Sequence, residues 1–175
     1  TILAFGTEEQ KARFLPDIAA GKTIFCQGFS EPGAGSDLGA VRTKGHLEGP
    51  DGAHEWVVNG QKIWTSLAHI SDWIFVVTRT EEGSVGPKGL SFLMMPIDQE
   101  GIEIRGITQI NGDAEFNETF LTDARCPADS MIGQPGEGWK IAMGLLAFER
   151  GVSTLGQQMS FRNELNVSIC LIFQC

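Results

Sequence analysis

Trp56-Val57-Val58-Asn59-Gly60-Gln61-Lys62-Ile63-Trp64 is the stretch on which the reading of this chain turns. Two strand-like runs flank Asn59-Gly60, and an Asn-Gly pair readily takes the positive φ angles of a type I′ turn, so the segment predicts a β-hairpin. Further short runs of β-branched and aromatic residues, separated by turn residues, predict strands over 24–29, 38–47, 73–78, 90–95, 102–107 and 116–121. About eight strands within roughly a hundred residues indicate a mainly β unit of sandwich or barrel-like form with flanking helices. The composition agrees, with 22 glycines for tight turns beside 11 Phe and 4 Trp.

The flanks read as helical. Thr7 with Gln10 three residues on is a capping-box pattern, Phe14, Leu15, Ile18 and Ala19 follow at helical spacing, and Pro16 is expected to interrupt that helix or start a second one. After Pro127, Gly136-Glu137-Gly138 leads into a predicted helix over 139–164, weakened at Gly144, Gly151 and Gly156. Its segment from Ile141 to Phe148 is apolar all round, which predicts burial by other protein. The tail, residues 166–175, has little polar face and two cysteines, and reads as atypical. The chain opens on Thr1 with no initiator Met, signal or transit pattern, so it is expected to be cut from a larger protein.

A formal charge of -9 disfavours nucleic-acid binding. No apolar run reaches the roughly 20 residues of a membrane span. Cys26, Cys126, Cys170 and Cys175 lack metal or disulfide spacing and read as reduced thiols. The sequons at Asn117 and Asn166 are short enough to recur by chance. His46, His54 and His69 share no metal spacing and read as surface or loop positions, Asp51, Glu81 and Glu82 as solvated turns, and Asn111-Gly112-Asp113 as a turn.

The densest motif is Ser30-Glu31-Pro32-Gly33-Ala34-Gly35-Ser36-Asp37. It lacks the GK[ST] ending of a P-loop, and Leu38 stands where the dinucleotide fingerprint needs a glycine. By spacing alone it reads first as a tight turn between strands. Its functional reading is a turn whose N–H groups and hydroxyls face an electron-rich ring or an acyl thioester.

Three ordered motifs between residues 27 and 139 make the chain resemble the acyl-CoA dehydrogenases: the strand-to-loop run from Gln27 to Asp37, the run Asn59-Gly60-Gln61-Lys62-Ile63-Trp64-Thr65-Ser66, and Ile132-Gly133-Gln134-Pro135-Gly136-Glu137-Gly138-Trp139 at the entry to a helix. The resemblance implies an incomplete piece of that fold: the end of an N-terminal helical domain (1–22), a flavin-binding β domain (23–128), and the first helix of a C-terminal helical domain (129–165), ahead of the 166–175 tail. It implies FAD as cofactor, with Ser30 at the flavin pyrimidine ring, Gln27 and Phe29 beside it, Gly35 in the loop, and Ser36 where cofactor and acyl-CoA meet. It places Trp64 beside the isoalloxazine and Ser66 near flavin N5 and O4. By residue pattern alone, Trp64 reads first as a cross-strand aromatic filling the hairpin face, a role compatible with packing beside a flavin. Donors beside one covered flavin face suit hydride transfer from a substrate β-carbon.

The base that takes the α-proton lies far downstream in many family members, and on the first C-terminal helix in the isovaleryl and long-chain branches. Glu149 aligns with that second position, with Arg150 beside it as a substrate contact. On a helix, Ala142, Leu145, Leu146 and Val152 share its side, so its carboxylate is expected to start from an apolar, desolvating face. The other reading is a buried ion pair with Arg150 or a further partner. The segment from Glu115 to Phe120 departs from the commoner Arg-x-Ser-Asp-Thr type, as in some bacterial branches, so the resemblance leaves acyl preference open.

The implied activity is FAD-dependent α,β-dehydrogenation of an acyl-CoA thioester, with electron-transfer flavoprotein as acceptor and a homodimer or homotetramer as assembly. Localisation would be cytoplasmic in a bacterium and the mitochondrial matrix in a eukaryote. The chain by itself is expected to be inactive and to bind FAD poorly. The alternatives are an acyl-CoA oxidase or flavin monooxygenase of the same fold, or a non-catalytic module that binds a partner through its helix and Trp139.

Overall fold

The computed structural model describes residues 1–50 and 54–173. The chain separates into two compact units, Thr1–Ala142 and Met143–Cys175.

The first unit opens with α1 (Ile2–Phe5) and α2 (Glu8–Ala19). The capping box forms as expected: Gln10 N donates to Thr7 Oγ1 at 3.2 Å and Thr7 N to Gln10 Oε1 at 3.0 Å. Gln10 Nε2 then donates to Asp129 O and Met131 O, at 2.7 and 2.8 Å, so the cap residue also anchors α2 to the far end of the unit. Pro16 does not interrupt α2, which runs through it. A proline removes the bond to the carbonyl four residues back and crowds it, here that of exposed Ala12, which water can satisfy. Phe14, 5% exposed, meets Phe25 and Trp73 edge-on with ring centroids at 5.6 and 4.9 Å, which seats α2 on the sheet.

Eight strands follow: β1 (Phe25–Gly28), β2 (Lys44–Glu48), β3 (Glu55–Ser66), β4 (Trp73–Arg79), β5 (Leu90–Pro96), β6 (Ile102–Ile107), β7 (Phe116–Pro127) and β8 (Met131–Ile132). They form one mixed sheet in the order β6-β7-β3-β2-β4-β5-β8, with β1 parallel to β4 off that path. One buried cluster joins Trp56 and Val58 of β3, Ile74 and Val76 of β4, Leu93 and Met95 of β5 and Leu121, Ala124 and Cys126 of β7. Ile102 and Ile104 from one end of the strand order and Met131 from the other pack against that same cluster. A sheet whose opposite ends share a core must curl, and this gives the barrel-like β unit that the strand spacing predicts.

The predicted hairpin is not there. Asn59 and Gly60 lie inside one continuous β3, which pairs antiparallel with β2 on one side and β7 on the other. Gly60 serves a close crossing instead of a turn: a Cβ there would sit 2.8 Å from the Thr43 Cα. Asn59 is spent on a register shift, with Nδ2 donating to Asp123 Oδ1 and Asp123 N to Asn59 Oδ1, both at 2.9 Å. The predicted strand over 38–47 is likewise half right, because Leu38–Ala40 forms a 3-10 turn before β2 begins at Lys44. Asn111-Gly112-Asp113 does form a turn, with Gly112 at φ 89° and Asp113 N bonded to Asn111 Oδ1 at 3.1 Å. The Asp51 turn lies outside the described residues.

Helix α3 (Gly138–Phe173) begins in this unit and is longer than expected, taking in most of the 166–175 tail. Gly138 is needed where the helix starts, since a Cβ there would lie 2.6 to 2.7 Å from backbone atoms of Leu90 and Ser91. Ile141 and Ala142 are buried. In the second unit the helix changes character: Met143, Gly144, Leu145 and Leu146 are half-buried, and Phe148, Leu155, Met159, Phe161, Leu165, Val167, Ile169 and Ile172 are all exposed. Gln174 and Cys175 lie outside the described residues.

Candidate functional site

Strand β1 delivers the first motif. Its parallel register on β4 pairs Gln27 with Phe75 and Gly28 with Val76, and a Cβ on Gly28 would meet Ile74 Cδ1 at 2.8 Å, so the glycine permits the close approach. Gln27 is half-buried. Phe29 is buried and meets Phe92 edge-on at 5.7 Å. The loop then reverses through a tight pair, Glu31 N to Ala34 O at 2.9 Å and Ala34 N to Glu31 O at 3.0 Å, with Pro32 and Gly33 at its tip. Ser30 is half-buried, and Gly33, Gly35 and Ser36 are exposed. A Cβ added at Gly33 or Gly35 would meet nothing within 4 Å, so the chain leaves open space along this loop.

The second motif meets the first directly. Ile63 N donates to Ser30 O at 2.9 Å. The β3–β7 register shifts between Lys62, opposite Thr119, and Thr65, opposite Asn117, which leaves Ile63 and Trp64 as a bulge. Trp64 sits there in the left-handed region at φ 61°, unusual for a large side chain, and its indole is 59% exposed. Phe116 touches it edge-on at 6.3 Å. There is no hairpin face for the tryptophan to fill; it meets Phe116 of the neighbouring β7 edge-on and is otherwise largely exposed on the bulge. Exposed Ser66 follows, and Leu67 is again left-handed at φ 59°, anchored by its N–H to Glu115 O at 2.8 Å. Backbone strain thus concentrates beside the two motifs.

Two residues missed by the sequence reading support this junction. Lys62 is fully buried, and its ammonium donates to Phe29 O, Glu31 Oε1 and Val77 O at 3.2, 2.9 and 2.8 Å. Glu31, 8% exposed, accepts from Arg42 N at 2.7 Å and Thr43 N at 2.9 Å as well. Burial pushes the Lys62 ammonium down to about 8, against the pull of Glu31. For Glu31, burial acts to raise the carboxyl, but the Lys62 charge and the bonds from Thr43 and Arg42 outweigh it and hold the group below its usual range. The signal was available: Lys62 lies an even number of residues from Trp56 and Val58, on a face that a strand would bury.

Asn117, at 1% exposure, donates from Nδ2 to Thr65 O and Glu115 O at 3.0 and 2.9 Å, and lies 3.3 Å from His69 Nδ1. Its buried Oδ1 has no hydrogen-bond partner among the described residues, and Asn117 lines a cleft with His69, Ile104, Asp113 and Glu115. The buried Cys26 and Cys126 thiols are pushed up to about 11 and about 12 by desolvation and are unreactive there. Among the described residues, no group of three His, Cys, Asp or Glu is placed to hold a metal, and no helix is long and apolar enough to cross a membrane.

Glu149 and Arg150 lie on the second unit. Both are exposed, where an apolar, desolvating setting was expected for Glu149. Of the neighbours expected to line its side, Ala142 is buried, Leu145 and Leu146 are half-buried, and the Val152 side chain lies outside the described residues.

A curled mixed β unit thus brings the first two motifs together across β1 and β3, with a largely exposed tryptophan on a left-handed bulge beside their junction. The acyl-CoA dehydrogenase middle-domain family model matches residues 26–124, and the chain belongs to the acyl-CoA dehydrogenase family. It is 57% identical over 166 residues to acyl-CoA dehydrogenase IpdE1 of Mycobacterium tuberculosis, covering 95% of this chain and 42% of that protein. Human mitochondrial short-chain specific acyl-CoA dehydrogenase is 36% identical over 152 residues, 85% of this chain and 35% of that one. A solved steroid ACAD, the Tcur3481-Tcur3483 G363A variant, superposes with a TM-score of 0.85 at 34% identity over 97% of this chain and 43% of that one. The chain therefore spans less than half the length of these relatives.

Proposed function

We propose that this chain supplies the flavin-binding β domain of an FAD-dependent acyl-CoA dehydrogenase, which removes an α-proton and a β-hydride from an acyl-CoA thioester. The observation that carries the proposal is the junction of the two motifs, where Ser30 O accepts from Ile63 N and the next residue, Trp64, is turned outward on a left-handed backbone. The exposed indole, the hydroxyls of Ser30 and Ser66, and the open space at Gly33 and Gly35 fit a planar heteroaromatic ring with polar edge atoms. Bound FAD would supply the two-electron acceptor for the hydride. In this reading Trp64 would cover one side of the ring, Ser30 and Ser66 would bond its polar edge, Gln27 and Phe29 would flank Ser30 on the strand, Gly35 would meet the cofactor, and Ser36 would meet both cofactor and acyl-CoA.

Glu149 takes the α-proton and Arg150 contacts the thioester. Glu149 is exposed within this chain, so substrate or further protein must exclude water around it during the reaction. Electron-transfer flavoprotein is the proposed acceptor and a homodimer or homotetramer the proposed assembly. The domain division is proposed as 1–22, 23–128, 129–165 and a 166–175 tail. The site of action is the cytoplasm in a bacterium or the mitochondrial matrix in a eukaryote.

The test is anaerobic reduction of bound FAD by acyl-CoA, followed as loss of the flavin's visible absorption in purified protein carrying this sequence. Glu149→Gln should retain FAD and lose reduction; normal reduction removes Glu149 as the base. Hydrogen peroxide released on turnover in air would move the reading to an oxidase. The likeness to a steroid ACAD makes a steroid-bearing thioester the first substrate to compare with straight-chain ones.

A further inference from the structure

Lys62 and Glu31 have no role in the chemistry above, yet they are the most deeply committed charged groups in the first two motifs. The Lys62 ammonium has three N–H donors, and all three are used, on Phe29 O, Glu31 Oε1 and Val77 O. The Glu31 carboxylate gathers Lys62 together with the backbone N–H groups of Arg42 and Thr43. One carboxylate at the start of the loop therefore holds the loop's end, closing everything from Pro32 to Val41 into a ring. One ammonium holds that closure to three places at once: β3, which bears it; β4, through Val77; and the residue before Ser30, through Phe29.

The placement along β3 matters as much as the bonds. Lys62 is the last paired residue before the bulge, so its backbone fixes where Ile63 and Trp64 depart from β7 while its side chain fixes where the loop lies. The Ser30 O to Ile63 N bond is then made between two segments that Lys62 has already brought together. A solvent-exposed pair would be too weak for this task, but here the lysine side chain is 0% exposed and the glutamate side chain 7% exposed.

We propose that Glu31 and Lys62 are positioning residues, an internal clasp that closes the 31–43 loop and sets Ser30 and Ser36 in register with Trp64 and Ser66, so that the flavin site exists only while the clasp is made. The proposal rests on the flavin reading for its second half and on the chain's own geometry for its first, and the two can be tested apart. In Glu31→Gln the amide cannot receive both the Lys62 ammonium and the two backbone N–H groups. Hydrogen exchange at Arg42, Thr43 and Ile63 should then quicken by about tenfold or more, while exchange along β4 and β5 rises much less. A variant that is merely less stable would raise all of these together. If Glu31→Gln does not fold, Glu31→Gln with Lys62→Met removes both charges and the same amides are read.

FAD titrated into the proposed complete dehydrogenase carrying the same substitutions reads the second half. Uptake by the unsubstituted parent and loss of about tenfold or more in affinity in the double variant, at an unchanged melting temperature, supports clasp and flavin reading together. No uptake by the parent, with the loop amides still loosened in the variants, keeps the loop closure and sinks the flavin reading for this chain. Unchanged exchange at Arg42, Thr43 and Ile63 in the variants overturns the clasp whatever the flavin does.

Discussion

Glu31 and Glu149 are both glutamates beside candidate chemistry, and their surroundings are opposite. Glu31 is buried, faces a fully buried ammonium and receives two backbone N–H groups, whereas Glu149 lies exposed on α3 between exposed Phe148 and exposed Arg150. The difference separates two uses of a carboxylate. One that is already neutralised by lysine and amides is held ionised and makes a poor proton acceptor, so Glu31 can organise a loop but not take an α-proton. An exposed one stays within reach of a substrate that lies against the helix.

The strongest way to break this contrast is to remove the counter-ion from the buried side. Lys62→Met should cost about 3 to 5 kcal/mol in urea unfolding, because the Glu31 carboxylate is left buried without its charge partner. Adding Glu31→Gln should return most of that loss, and failure to do so would mean that the two residues act independently. A smaller cost, about 1 to 3 kcal/mol, is expected of Gly60→Ala, since the new Cβ would be driven against the Thr43 backbone where β3 crosses the end of the clasped loop. A turn glycine would accept asparagine, so a neutral Gly60→Asn would restore the hairpin reading.

The pH dependence of stability sharpens the same contrast. Glu31 titrates below its usual value of 4.5 when folded, so the unfolded chain takes up the proton first as pH falls. Its contribution is complete above that value and is lost as pH drops through the lower folded value; Glu31→Gln should flatten this acid limb. Lys62 has the opposite consequence. The folded chain releases its proton near 8 and the unfolded chain near 10.5, so stability should rise with pH between those values, by at most about 1.4 kcal/mol per pH unit. Lys62→Met should abolish the rise.

Much of the sheet was legible because β4 and β5, buried along nearly their whole length, read as continuous apolar runs while β6 alternates: all three fall within a residue of their expected bounds. What was illegible depended on partners far along the chain. Asn59-Gly60 has the local chemistry of a turn, but Gly60 is required by Thr43 and Asn59 by Asp123, neither of which local pattern reveals. Lys62 counts as a surface residue in any hydrophobic pattern, although its parity with Trp56 and Val58 pointed inward. The motif residues themselves were readable through the family resemblance; the ion pair beneath them needed the crossing of β1, β3 and β4 to be seen.

A smaller effect is expected at the exposed tryptophan. Its indole is already 59% exposed, so Trp64→Gly loses little burial and relieves a left-handed backbone, and stability should change by no more than about 1 kcal/mol, towards gain. FAD affinity should nonetheless fall. A large stability loss would mean that the indole is a packing element of the bulge.

The smallest effect on folding belongs to Glu149, and it is where the contrast with Glu31 is most exposed to failure. Glu149 is exposed on α3, where a side-chain ion pair contributes about 1 kcal/mol or less, and Gln preserves its shape and its helix propensity. Glu149→Gln should therefore leave the urea midpoint where it was, while Glu31→Gln moves it. If instead both variants destabilise the chain comparably, Glu149 belongs to a structural ion pair, and its assignment as the base loses the independence from folding on which it depends. If only Glu31→Gln destabilises while Glu149→Gln alone abolishes flavin reduction by acyl-CoA, the two carboxylates divide as their surroundings imply: one keeps the loop closed and the other moves the proton.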